Sequence, residues 1–237
     1  MNDLNLLRKD LAALGSAKKE KASSRFFKTG EGQYGYGDKF IGVTLPEQRV
    51  LAKKFPKLTL ADIEKLLASE IHEERSMGLI ILVNRYKKAD LEMKKNIFDF
   101  YVEHIKAVNN WDLVDGSAAE IIGDFLLDKK VTLILFYAKS NNIWLRRIAI
   151  VATHMFQRAK KDNTLTFQVA DLLLEDKNDL VQKAVGWMLR ESGKRVSEKD
   201  LEKYLLKNYK KMGRTALRYA IERFDADKRR EYLSGVV

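Results

Sequence analysis

The chain has 237 residues, 44 Lys+Arg against 33 Asp+Glu, and a formal charge of +11. That length can bury a sizeable core. The charge favours a polyanionic partner, nucleic acid or an acidic membrane surface, and the 46% hydrophobic content argues against disorder. Cysteine is absent, which excludes disulfides, thiolate metal sites and a cysteine nucleophile.

The histidines, at 72, 104 and 154, show no short spacing. A histidine-based triad or metal site is therefore not expected, and neither metal nor cofactor is called for. The apolar runs, such as 131–138, fall far short of the ~18 residues that span a bilayer. The opening MNDLNLLRKDLAALG carries acids and no cleavable apolar core. A cytoplasmic protein is the expectation.

In chain order, the first irregular stretch is Thr29–Gly42, TGEGQYGYGDKFIG, with five glycines. Gly30-x-Gly32-x-x-Gly35 formally matches a dinucleotide fingerprint, but a helix precedes it where a strand is required. A mobile loop is expected, with a backbone-amide contact to phosphate as the sharper reading. Thr44-x-x-Glu47, with Pro46 in the first turn, reads as a capping box opening an apolar helix.

From there the apolar period is near 3.6. It predicts helices over 71–86, 91–102, 121–127, 143–156, 165–174, 180–189, 201–209 and 216–224. Short polar breaks separate them, at 140–142, 162–164, 175–178 and 192–197, and supply N-caps. VTLILFY at 131–137 has strand propensity but lies among helices, so a buried helix is expected.

Arg75, Trp111, Arg147 and Lys183 recur every 36 residues, each opening a helix after a polar break, and a fifth such segment starts at Gly213-Arg214. Paired helices at this period predict an all-α, right-handed α-solenoid of HEAT-like repeats. It would be a single domain over 1–237 with a basic concave face. Equivalent positions then align across repeats. One turn further on, the same stripe gains Asp115 and Trp187. Trp144 falls outside it. The face is otherwise basic, with Arg146, Arg147, Lys183, Arg190, Arg214 and Arg218. Each tryptophan alone reads as a core anchor, and Asp115 with Arg147 as a salt bridge. Together, aromatics interleaved with cations at the repeat spacing fit phosphate contact plus stacking. A lone acid there repels phosphate, so it neutralises Arg147 or stabilises positive charge on the nucleic acid.

Three motifs, Asn110-Trp111-Asp112-Leu-Val-Asp115, Asn142-Ile-Trp144-Leu-Arg-Arg147-x-Ala and Lys183-Ala-x-Gly186-Trp187-x-Leu-Arg190-Glu191, in this order and spacing, resemble the AlkD family of DNA alkylation-repair glycosylases. The resemblance covers about residues 22–224. It implies a HEAT-like solenoid, and a monofunctional DNA glycosylase that releases cationic N3- or N7-alkylated purines from duplex DNA without base flipping. Asp115 matches the catalytic aspartate, Trp111 and Trp187 the lesion-flanking tryptophans, and Arg147 the arginine beside the aspartate. The N-terminal aromatic that approaches the lesion falls in Arg25-Phe26-Phe27-Lys28, at either phenylalanine. Both lack a hydroxyl. A duplex needs one copy, so a monomer without obligate protein partners is expected. The competing reading is a non-catalytic HEAT scaffold that takes DNA or an acidic protein. A peripheral membrane role lacks the split cationic and apolar helix it needs.

Overall fold

The computed structural model describes residues 2–237, which form helices joined by turns and, over 27–44, by a longer irregular segment. Among the described residues there is no strand, only an isolated parallel bridge between Lys39 and Ile71. No helix among them is long and apolar enough to cross a membrane. The chain divides into two compact units, Met1–Ser117 and Ala118–Val237.

The first unit holds α1 (Asp3–Ala13), α2 (Ala17–Phe26), α3 (Leu45–Ala52), α4 (Leu60–Leu67), α5 (His72–Tyr86), α6 (Leu91–Glu103) and the opening turns of α7 (Trp111–Ala118). Helix α5 packs against α3, α4 and α6 and is enclosed nearly all round. Its Met77, Leu82 and Tyr86 meet a core drawn from Leu7, Leu11, Ile63, Leu66, Ile97 and Tyr101. The expected capping box is present at α3, where the Glu47 carboxylate accepts from the Thr44 N–H at 2.8 Å and hydroxyl at 2.6 Å.

The second unit continues with a π-helical turn, Ala119–Gly123, then α8 (Thr132–Ala138), α9 (Ile143–Ala152), α10 (His154–Ala159), α11 (Thr164–Leu173), α12 (Asp179–Arg195), α13 (Glu198–Asn208), α14 (Arg214–Ala220) and α15 (Ala226–Ser234). Helix α12 is its centre and packs on α9, α11, α13 and α14. The helices that carry Arg147, Lys183 and Arg214 therefore lie side by side within this unit. The segment 131–137 is helical, as periodicity favoured over propensity, though Phe136 on it is 69% exposed.

Helix α14 ends at Ala220 where the period ran to 224, and α12 runs to Arg195 through most of the break expected at 192–197. Two further predicted helices differ in detail. The segment 121–127 is the far end of the helix begun at Trp111, displaced by the π turn. That turn carries Gly123, where a Cβ would lie 2.4 Å from the Ala152 carbonyl oxygen, so only glycine permits this approach. The segment 143–156 breaks at Thr153. Its N–H and hydroxyl both donate to the Ile150 carbonyl, at 3.2 and 2.7 Å, tightening the turn.

Candidate active site and nucleic-acid interface

Helix α7 opens on a built cap. Asn110 is fully buried, accepts from the Trp111 N–H at 2.8 Å and donates to Asp38 at 3.2 Å. Leu113 and Val114 face the core, while Trp111, Asp112 and Asp115 stay half-buried. The spacing i, i+1, i+4 puts those three on one side of the helix.

An aromatic stack meets this turn. Phe27, at the end of α2, lies between Phe40 (5.0 Å, 18°) and Trp111 (5.2 Å, 16°). Phe26 meets Trp111 edge-on at 5.6 Å and is 64% exposed. Offset-stacked and edge-on pairs are the favoured aromatic geometries. Phe27 thus covers one face of the indole. Lys28 follows, exposed and in the left-handed region at φ 53.

The glycine-rich segment beside these rings is tied back to the unit at several points. Gly35 closes back on α2: its N–H donates to the Lys28 carbonyl, and a Cβ there would meet the Phe27 carbonyl oxygen at 2.3 Å. Lys39 donates to the Glu70 carbonyl and accepts from the His72 N–H. The backbone N–H groups of Ile41, Gly42 and Val43 all donate to the Glu73 carboxylate at 2.8–3.2 Å. Backbone amides at the end of this segment thus bind an internal anion, the Glu73 side chain.

Glu73 belongs to a charged run that sequence reasoning passed over. His72, Glu73, Glu74 and Arg75 open α5 and are all buried. Each reaches a different part of the unit. Glu74 accepts from Arg8 of α1 at 2.9 Å. Arg75 donates to Asp38 at 2.6 Å and to the Ser69 carbonyl at 2.9 Å. His72 stands between two carboxylates, Nδ1 at 3.1 Å from Asp38 and Nε2 at 2.8 Å from Asp112. Burial alone would lower the imidazole's pKa. The hydrogen bonds to Asp112 and Asp38, and their charges, outweigh it and raise the value to about 9. Asp38 is itself held below the usual carboxylate range: burial opposes this, but His72, Arg75 and Asn110 prevail. Asp112 is bound to a histidine, while Asp115 lies one turn on.

In the second unit the expected cations divide by environment. Arg147 is buried on α9 and donates to the Leu180 carbonyl. Arg146 grips Asp176 at 2.6 Å and the Ser140 and Asn141 carbonyls at 2.8 and 2.9 Å, so most of its guanidinium is engaged within the protein. Lys183 pairs with Asp179 at 2.7 Å, Arg190 with Glu222, and Arg214 with the Leu233 carbonyl at 2.6 Å. Arg218 is exposed. Trp187 is half-buried, 5.9 Å from the His154 ring. Burial and the nearby Arg195 charge outweigh Glu191 and lower the His154 pKa to about 4, so that ring is neutral. Next to Trp187, a Cβ on Gly186 would sit 2.3 Å from the Ala216 carbonyl oxygen. The glycine of that motif brings α12 and α14 together.

Among the described residues, no group of three or more His, Asp or Glu is placed to hold a metal ion. No curated protein matches the chain. A solved structure, a predicted DNA alkylation repair enzyme from Enterococcus faecalis, is similar in fold: TM-score 0.70 and 18% identity, over 90% of this chain and 97% of that one. A family model described as DNA alkylation repair enzyme matches residues 7–224. The chain therefore belongs to the DNA alkylation repair enzyme family.

Proposed function

We propose that the protein is a monofunctional alkylpurine DNA glycosylase. It hydrolyses the N-glycosidic bond of cationic N3- or N7-alkylated purines in duplex DNA. The observation that carries this reading is the α7 turn, which places Trp111 and Asp115, both partly exposed, one helical turn apart on the same side. A glycosylase of this class needs one ionised carboxylate near the sugar, and the family resemblance assigns that role to Asp115.

An alkylated purine cation leaves as a neutral base, so no general acid is required. Two tasks remain. The oxocarbenium-like sugar must be stabilised, and water must be held for attack at the anomeric carbon. An ionised Asp115 serves both, by charge and as hydrogen-bond acceptor. By the family resemblance, Arg147 is the arginine that serves this aspartate. Trp111 and Trp187 offer electron-rich ring surface to the positive sugar and base, worth about 0.5–2 kcal/mol each. One face of Trp111 is already covered by Phe27, so this contact uses the other face or the ring edge. Phosphate contacts fall to Lys28, Lys183, Arg190, Arg214 and Arg218. Arg146, also expected on this face, is the most fully engaged of these cations, by Asp176 and two carbonyls. The family's pattern implies that the damaged base is not flipped. The net charge of +11 supports nucleic acid as the ligand.

The test is release of 7-methylguanine from methylated duplex, followed by chromatography under single-turnover conditions. Asp115→Asn should lower the rate by about 100-fold or more and leave the affinity for undamaged DNA unchanged. Near wild-type release by that variant removes the assignment. No release by the wild type favours the HEAT-type scaffold that binds DNA or an acidic protein.

A further inference from the structure

We propose that His72 is a positioning residue for Trp111, bridging Asp38 of the glycine-rich segment to Asp112 at the head of α7 so that Phe27 stays flat against the indole. This rests on the reading that Trp111 faces the damaged nucleotide. No motif includes His72, and its ring is buried.

Both ring nitrogens face carboxylate oxygens, at 3.1 and 2.8 Å. A neutral imidazole has a single N–H and would turn a lone pair toward one of them. The doubly protonated ring satisfies both. The charged groups around it are Asp38 and Asp112 at its nitrogens, with Arg75 across Asp38. Two anions and two cations then balance, and the raised pKa agrees with that state. The ring is also packed by Phe40 at 4.6 Å and Phe27 at 4.9 Å. One side chain thus touches every part of the assembly: the loop through Asp38, the aromatic stack through Phe27 and Phe40, and α7 through Asp112, the residue after Trp111.

Loss of the ring's N–H groups leaves Asp38 and Asp112 without their shared cation. The loop and the head of α7 then separate, and Phe27 no longer fixes the indole plane. A displacement of this size at a substrate-orienting ring slows chemistry without touching phosphate contacts.

The experiment uses the full chain labelled with 5-fluorotryptophan, its three 19F resonances assigned by single Trp→Phe variants, with single-turnover excision measured in parallel on unlabelled protein. His72→Phe keeps the aromatic packing and removes both N–H groups. Asp38→Asn removes the loop-side charge and serves if His72→Phe does not fold. Either should shift or broaden the Trp111 resonance and leave those of Trp144 and Trp187 in place. Excision should fall about 10- to 100-fold, with the Kd for undamaged duplex unchanged. An unmoved Trp111 resonance overturns the proposal, and so does a moved resonance with wild-type excision. If the wild type releases no methylated base, the glycosylase reading fails alone, and the 19F arm still decides whether His72 governs Trp111.

Discussion

Phe27 lies on the Trp111 indole with ring centroids 5.2 Å apart and planes within 16°, whereas Phe26, its neighbour in sequence, meets the same indole on edge and is 64% exposed. Adjacent phenylalanines that the sequence left interchangeable thus hold different positions. One is part of the internal stack, and the other projects from the surface.

Their substitutions should separate accordingly. Phe27→Ala removes a ring in contact with Phe40, Trp111 and His72 and should cost about 2–3 kcal/mol, below the full burial value because Phe27 is half-exposed. Phe26→Ala should change stability by less than about 0.5 kcal/mol while weakening DNA binding. Urea denaturation beside a binding isotherm distinguishes the two. Equal destabilisation by both would mean the stack is not formed in solution.

Stability should fall on the alkaline side of neutrality. His72 binds its proton more tightly in the native chain, at about 9 against 6.5 when unfolded. Its contribution is therefore complete below pH 6.5 and lost as pH rises through 9, on the order of 3 kcal/mol in total. His154 acts oppositely. Its native pKa, about 4, lies below the unfolded value. The stability linked to it is present above pH 6.5 and lost as pH falls through 4. Urea midpoints from pH 5 to 9.5 should peak near neutrality, and His72→Phe should flatten the alkaline limb. A wild-type midpoint that does not change between pH 6.5 and 9.5 excludes the charged bridge.

The helical class, the capping box and the start of α7 were legible because apolar period and cap chemistry are local. The buried charges were not. His72, Glu73, Glu74 and Arg75 read as a polar helix start, since an isolated charge belongs in water. They are enclosed because their partners lie far away in sequence. His72 reaches 34 and 40 residues to Asp38 and Asp112, Arg75 reaches 37 to Asp38, and Arg146 reaches 30 to Asp176. These separations centre on the 36-residue period, so opposite charges one repeat apart were the available signal. The same long-range satisfaction anchors the end of the five-glycine segment, where the Ile41 and Gly42 amides are held by Glu73, which neither propensity nor spacing within the segment reveals.

Gly186→Ala tests whether a motif residue serves packing or chemistry. The added methyl meets the Ala216 carbonyl oxygen at 2.3 Å and Tyr219 Cβ at 2.5 Å, and a backbone oxygen cannot swing aside. Helices α12 and α14 must part, at a cost of about 1–3 kcal/mol, and the face carrying Lys183 and Trp187 shifts with α12. Thermal unfolding should show the loss. An unchanged Tm would mean that this glycine is present for close approach of DNA and not of α14.

Arg146 and Arg218, both cations of the second unit, should respond to substitution in opposite ways. Arg146 engages Asp176, whose side chain is only 7% exposed, and breaking a buried pair leaves an uncompensated charge worth about 3–5 kcal/mol. Arg146→Ala should therefore lower the unfolding midpoint and leave the salt dependence of DNA binding alone. Arg218 is exposed, so Arg218→Ala should hardly alter stability. If it contacts a phosphate, releasing one counterion fewer makes the slope of log K against log salt shallower by about 0.9. Binding isotherms at four salt concentrations, set beside urea curves for both variants, read the two effects separately. A slope unchanged in Arg218→Ala removes that residue from the interface, and a changed slope in a stably folded Arg146→Ala restores Arg146 to it.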